Sequence, residues 1–182
     1  MTASTVSSTA IINKLAVSSV AAVTYSALGN ESDARTKTIT GTIELATTSI
    51  DETGDIALLF PVQGNHRLVS LVIFNDDMDS NGTPTLAADV GLYKDPNAAG
   101  TSATAVSATA YATAITTLQS ANTTGVEIAF EARNIDKMGQ TVAVDGGESE
   151  HSKVRYVGLT ITTTAATPVA GTLTWRAIVS VP

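Results

Sequence analysis

Thr172-Leu173-Thr174-Trp175-Arg176-Ala177-Ile178-Val179-Ser180-Val181 is the stretch that decides the fold. Leu173, Trp175, Ala177, Val179 and Val181 fall on one side of an extended chain, and Thr172, Thr174, Arg176 and Ser180 on the other. A period of two means a half-buried β-strand. The residues before it repeat the signal. In Arg155 to Thr163, Val157, Leu159 and Ile161 share a face, and Thr164 to Gly171, with Pro168 and Gly171, reads as a hairpin-like link. Two adjacent strands of this kind belong to an antiparallel sheet with one face on a core.

Further back the same signal recurs. Thr38 to Leu45 alternates, with Ile39, Ile43 and Leu45 on one face. Ile56, Leu58 and Phe60 mark a strand that Pro61 should close. Leu68 to Phe74 is almost continuously apolar, which predicts a central strand covered on both faces. Asp89 to Lys94 is a further strand, ended by Asp95-Pro96-Asn97. Ala98 to Ala110 is low-complexity Ala/Thr/Ser and reads as a loop. Tyr111, Ile115 and Leu118 stand at i, i+4 and i+7, which predicts a short helix on the sheet. Val126, Ile128 and Phe130 alternate as another strand. Asn134 to Glu150 is polar and glycine-bearing, a loop with room for one helical turn. Seven to eight strands with one short helix give an all-β fold, most economically a β-sandwich of jelly-roll type. Strand order does not follow from the sequence.

Residues 1–37 differ from the rest. Met1 to Thr9 is Ser/Thr-rich and should be mobile alone. Ile11, Ile12, Leu15, Val17, Val20 and Val23 are apolar without clean periodicity, and Leu28 to Asp33 is a polar turn. The expected organisation is an N-terminal arm, 1–37, and a sandwich domain, 38–182. The arm reads either as a loosely packed terminus or edge strand, or as a segment that orders on a partner surface.

The chain has 182 residues, enough for one domain with a core. Charged residues are 15%, against about 25% in ordinary domains, and Ser plus Thr make up roughly a quarter. The net charge of −7, with ten Lys and Arg in all, argues against nucleic-acid binding. No cysteine is present, which excludes a disulfide scaffold, a zinc knot and a thiol nucleophile. The most apolar stretch, Ala10 to Leu28, contains Lys14 and polar residues, so no membrane span is expected; the start lacks the basic residues of a secretory signal. Both readings suit synthesis in a reducing cytoplasm.

Chemistry-bearing groups are few. His66 and His151 are the only histidines; His66 reads as part of a turn and His151 as part of an exposed loop, and no serine has the context of a nucleophile elbow. Glu44, Glu127 and Glu131 occupy polar positions of separate strands, with no aromatic neighbour to stack a sugar ring. Trp175 reads as core. Asp77-Met78-Asp79-Ser80-Asn81-Gly82 opens like a calcium loop, with Asp77, Asp79 and Asn81 as ligands, but position twelve is Ala88 and Pro84 interrupts it. The same residues make a good strand-to-strand turn. Asp145-Gly146-Gly147-Glu148 is an acidic turn that could meet a basic partner. No enzyme, no cofactor and no resident metal are expected. Ser and Thr on exposed strand faces raise β propensity without charge, which suits a subunit that buries area against neighbours.

Ala88-Asp89-Val90-Gly91-Leu92-Tyr93-Lys94, the run into Tyr111-Ala112-Thr113-Ala114-Ile115, and Gly139-Gln140-Thr141-Val142 leading to Gly146-Gly147 resemble the head-decoration, or cement, proteins of tailed bacteriophages. The resemblance spans roughly residues 60–182 and is one of texture. It implies a small jelly-roll domain, a homotrimer on the outside of an icosahedral capsid, the major capsid protein as partner, and a terminal arm that clamps capsid subunits. Residues 1–37 are the segment that would match the arm. The competing reading is a carbohydrate- or receptor-binding sandwich, part of a tail fibre or adhesin, with Tyr25, Tyr93, Tyr111 and Tyr156 as its aromatic candidates.

Overall fold

Alternating side chains can hide one face of a strand only if a second sheet covers it, and two sheets do so here. The computed structural model describes residues 5–7, 36–94 and 103–181. Among the described residues the strands are β1 (Thr5–Ser7), β2 (Thr36–Leu45), β3 (Ile56–Gln63), β4 (Arg67–Asn75), β5 (Ala87–Tyr93), β6 (Ala105–Ile115), β7 (Asn122–Glu127), β8 (Val154–Thr163) and β9 (Gly171–Ser180), with one short α-helix, α1 (Val142–Asp145). One sheet has the order β2-β9-β4-β7, the other β1-β3-β8-β5-β6. Apart from β1, every pairing is antiparallel. Strands β2 to β9 are thus divided between two four-stranded sheets in the order of a jelly roll, changing sheet at every step except β5 to β6, and β1 adds to β3 in parallel.

The inner faces follow the alternation. Leu173, Trp175, Ala177 and Val179 of β9 and Val157, Leu159 and Ile161 of β8 are buried in one core cluster. Trp175 stacks on Phe60 across the sandwich, with ring centroids 6.4 Å apart. Fully burying such a side chain contributes about 1.5–3 kcal/mol. In β3 a register shift between Leu58 and Phe60 turns Leu59 and Phe60 both towards the core and leaves Leu58 outside it. Leu58 packs instead with Tyr93 and Tyr156 in a second cluster.

The structure corrects several local expectations. Pro61 does not close β3, which runs on to Gln63; β1 pairs only with Ile56–Leu58, so the missing proline N–H interrupts no described ladder. β4 is an inner strand, but only one of its faces is core: Leu68, Leu71 and Ile73 are buried, while Val69, Val72 and Phe74 are half-buried. The helix expected at Tyr111 to Leu118 is strand β6 followed by a 3-10 turn at Thr117–Gln119. The part of the supposed loop from Ala105 to Ala110 belongs to the same strand. Helical spacing arose there because β6 is bulged: Leu92 pairs with Ser107 and Val90 with Ala112, so extra residues interrupt the period of two. The actual helix, α1, lies in the 134–150 loop.

β7 begins earlier than the Val126–Phe130 alternation suggests and ends at Glu127. The Glu127 carboxylate explains the end, because its Oε1 accepts the backbone N–H of Leu71 at 2.8 Å and of Ala129 at 3.0 Å. Thr5–Ser7, inside the stretch expected to be mobile, is the strand β1. β2 begins at Thr36, two residues inside the expected arm.

Candidate interaction surface

The outer face of the β2-β9-β4-β7 sheet carries the hydroxyl groups that the composition foreshadows. The residues of β2 that alternate with its core-facing ones are Thr36, Thr38, Thr40, Thr42 and Glu44, and those of β9 are Thr172, Thr174, Arg176, Ile178 and Ser180. Their register brings Thr40 beside Arg176 and Thr42 beside Thr174. Thr42 and Thr174 share a hydroxyl hydrogen bond of 3.1 Å, and the Thr172 hydroxyl donates to Glu44 at 2.8 Å. These four side chains are paired with each other, so covering them strands few polar atoms.

At one margin of this face lies an open hollow of about 470 Å³, lined by Phe74, Asp76, Asn122, Thr123, Thr172 and Thr174 together with Asn75. Phe74 is half-buried there. Nothing in the residue pattern points to it, because an aromatic inside a continuous apolar run reads as core. The four tyrosines behave otherwise: Tyr93, Tyr111 and Tyr156 are buried, and Tyr25 lies outside the described residues. Trp175 is buried as expected.

One end of the sandwich is knitted by Asp79, which is buried although it is a carboxylate. Its Oδ2 accepts the backbone N–H of Thr85 (2.7 Å), Leu86 (3.1 Å) and Ala166 (3.0 Å), and its Oδ1 that of Thr167 (2.9 Å). Burial alone would raise its pKa; the four donors outweigh it and hold the carboxyl at about 2. Asp77 Oδ1 accepts the N–H of Asp79 at 3.1 Å, and Asn81 Oδ1 that of Thr83 at 2.9 Å. The oxygens that would have ligated calcium are therefore receiving backbone hydrogen bonds. Among the described residues no group of three or more His, Asp or Glu is arranged to hold a metal ion.

The opposite end is fixed by two arginines. Arg133 is nearly inaccessible and reaches Asp145 at 2.6 Å, while its other nitrogens donate to the carbonyls of Ala129 and Leu68. Its guanidinium lies 4.6 Å from the ring centroid of Phe130 and 5.1 Å from that of Tyr111. Burial pushes the Asp145 carboxyl up, against the opposing pull of Arg133, and burial with Asp145 nearby pushes the Tyr111 hydroxyl up. Arg155 binds Glu148 through two bonds of 2.7 Å, which lowers the Glu148 pKa. Both carboxylates of the acidic turn 145–148 are thus neutralised within the chain, which removes it as a surface for a basic partner.

The remaining candidates are dispersed. His151 Nδ1 lies 3.1 Å from the Thr141 hydroxyl in an exposed loop. His66 lines a notch of about 200 Å³ with Lys37, Ile39 and Pro61, and burial followed by the Lys37 charge lowers its pKa. Glu44 sits on the threonine face, Glu127 holds backbone N–H groups, and Glu131 accepts the N–H of Thr113 at 2.7 Å. The arm residues Ile11, Ile12, Leu15, Val17, Val20 and Val23 lie outside the described residues. No helix among the described residues is long and apolar enough to cross a membrane.

No protein-family model matches the chain, and no curated protein matches it. Two solved structures contain similar chains. One is the cyanophage Pam1 capsid asymmetric unit, with 20% identity over 92% of this chain and 99% of that one, at a TM-score of 0.58. The other is the capsid of Ralstonia phage GP4, with 17% identity over 98% of each chain, at a TM-score of 0.61. What this chain has in common with both, across nearly its whole length and theirs, is the jelly-roll fold.

Proposed function

We propose that this chain is a structural virion protein, a decoration subunit that binds the outside of an icosahedral phage capsid and clamps neighbouring capsomers. The observation that carries the reading is the end-to-end fold likeness to chains in two phage capsid structures, with little left over on either side. The threonine-rich face supports it, since its Thr42–Thr174 and Thr172–Glu44 pairs satisfy each other and can be covered at small desolvation cost. So do Ile135 and Met138, exposed apolar residues one 3-10 turn apart. The subunit is a homotrimer at a three-fold site and acts without a catalytic centre. It works by mass action, since whatever binds only the assembled shell stabilises that shell. The arm, including Ile11, Ile12, Leu15, Val17, Val20 and Val23, supplies the apolar contact with the major capsid protein. The test is co-sedimentation with expanded shells made from the major capsid protein of the same genome. Saturable binding and a raised shell melting temperature are expected, and both should be lost when residues 2–35 are deleted. Normal decoration by the deleted chain would remove the arm from the mechanism; no binding by the full chain would overturn the reading.

A second reading, a glycan-binding module, has one observation in its favour. The hollow at Phe74 combines an accessible ring with Asp76, Asn122 and threonine hydroxyls. A glycan array with no hit, and no change in the Phe74 environment on titration with the host surface polysaccharide, would remove it.

A further inference from the structure

β1 runs parallel to β3, with Thr5 opposite Ile56, Val6 opposite Ala57 and Ser7 opposite Leu58. It therefore points along β3 towards Gln63. The start of β2 lies at that same end, because Lys37 and Ile39 share a notch with Pro61, Val62 and Gln63. From the level of Leu58 to that notch is roughly 20 Å, which about six extended residues would span. Residues 8–35 make the connection. Stretched out they could reach on the order of 90 Å, whereas connections within a domain have a median of about 4–6 residues. The link is several times longer than pairing within one chain requires.

We infer that Thr5–Ser7 of one copy pairs with Ile56–Leu58 of a second copy, so that neighbouring subunits are tied by exchanged N-terminal strands. This deepens the assembly reading and rests on it, since it needs copies held side by side. The pairing is made by main-chain groups, so the same three residues fit the same edge of any identical subunit without new complementarity. A link of 28 residues is long enough for the strand to reach a neighbour's edge as well as its own. Three paired residues are too few to hold an isolated strand; the exchange gains its strength from several such ties closing a ring.

The chain has no cysteine, so single thiols report cleanly. Thr5→Cys chains and Ile56→Cys chains are mixed and oxidised, once free and once bound to shells. The double variant, Thr5→Cys with Ile56→Cys, shows that the register permits the bond, and Thr5→Cys mixed with Ser152→Cys gives the background. A disulfide-linked pair at twice the chain mass, well above background in either mixture, is expected. An intrachain bond in the double variant, with only background pairing in both mixtures, would overturn the exchange. Failure of the bond in all samples would overturn the β1 register itself. Decoration without cross-linking would sink the exchange alone, and cross-linking without decoration would sink the capsid reading alone.

Discussion

Asp79 shows what one residue can do when a chain has few charges. Its four backbone partners come from the β4–β5 connection and the β8–β9 connection, so a single carboxylate reinforces the short antiparallel bridge these two loops make where Asp79 stands opposite Pro168. Asp79→Ala leaves those N–H groups without a buried acceptor and should cost about 3 kcal/mol in urea unfolding. The pH dependence follows from the sign of the shift. The folded carboxyl titrates at about 2, below its ordinary 3.8, so the unfolded chain takes up the proton first as pH falls. The stabilisation is complete above about pH 4 and is lost towards pH 2, with a slope of up to about 1.4 kcal/mol per pH unit. In Asp79→Ala that part of the slope should vanish; an unchanged acid transition would contradict the assignment. Millimolar calcium should leave the melting temperature of the wild-type chain unchanged. The Asp77–Gly82 segment was legible as an Asx-rich turn from its residue types, whereas the identity of the Asp79 partners was not, because Ala166 and Thr167 are far away in sequence.

At the scale of elements, the bulged pair β5–β6 departs most from its sequence pattern. Four residues, Ala108 to Tyr111, stand between the partners of Leu92 and Val90 where the facing strand has only Gly91, and the chain at Ser107 and Ala108 crosses directly over that glycine. A β-carbon at Gly91 would collide with the backbone of Ser107 and Ala108, which cannot swing aside as a side chain can. Gly91→Ala should therefore lose about 3 kcal/mol or more, or fail to fold. Gly82→Ala, where nothing stands within 4 Å, should change stability by less than about 0.5 kcal/mol. Equal effects of the two substitutions would show that the crossing is absent. The helical spacing of Tyr111, Ile115 and Leu118 was misleading for the same reason. Tyr111 and Ala112 are both buried, and Ala114 adopts a φ of 51°, so each turn of the backbone shifts which face the next side chain joins. Regular strands such as β2, β8 and β9 kept their period and could be read directly.

For the molecule as a whole, the large core lies within β2 to β9, and β1 contributes three residues at an edge. Deletion of residues 2–35 should leave one cooperative unfolding transition, lowered by roughly 4–8 °C at most, equivalent to about 2 kcal/mol. Loss of the transition would mean that the arm is part of the core. The all-β class, the core face of most strands, the buried Trp175 and the low charge content could all be read from the order and types of residues. These properties depend on neighbours one to four residues apart, and a period of two or a composition records them. The tertiary structure decided the jelly-roll strand order, the neutralisation of the acidic turn by Arg133 and Arg155, the hollow at Phe74 and the capture of Asp79 by two loops. Each of these brings together residues tens of positions apart, and local periodicity carries no information about which distant strand or loop will supply the partner.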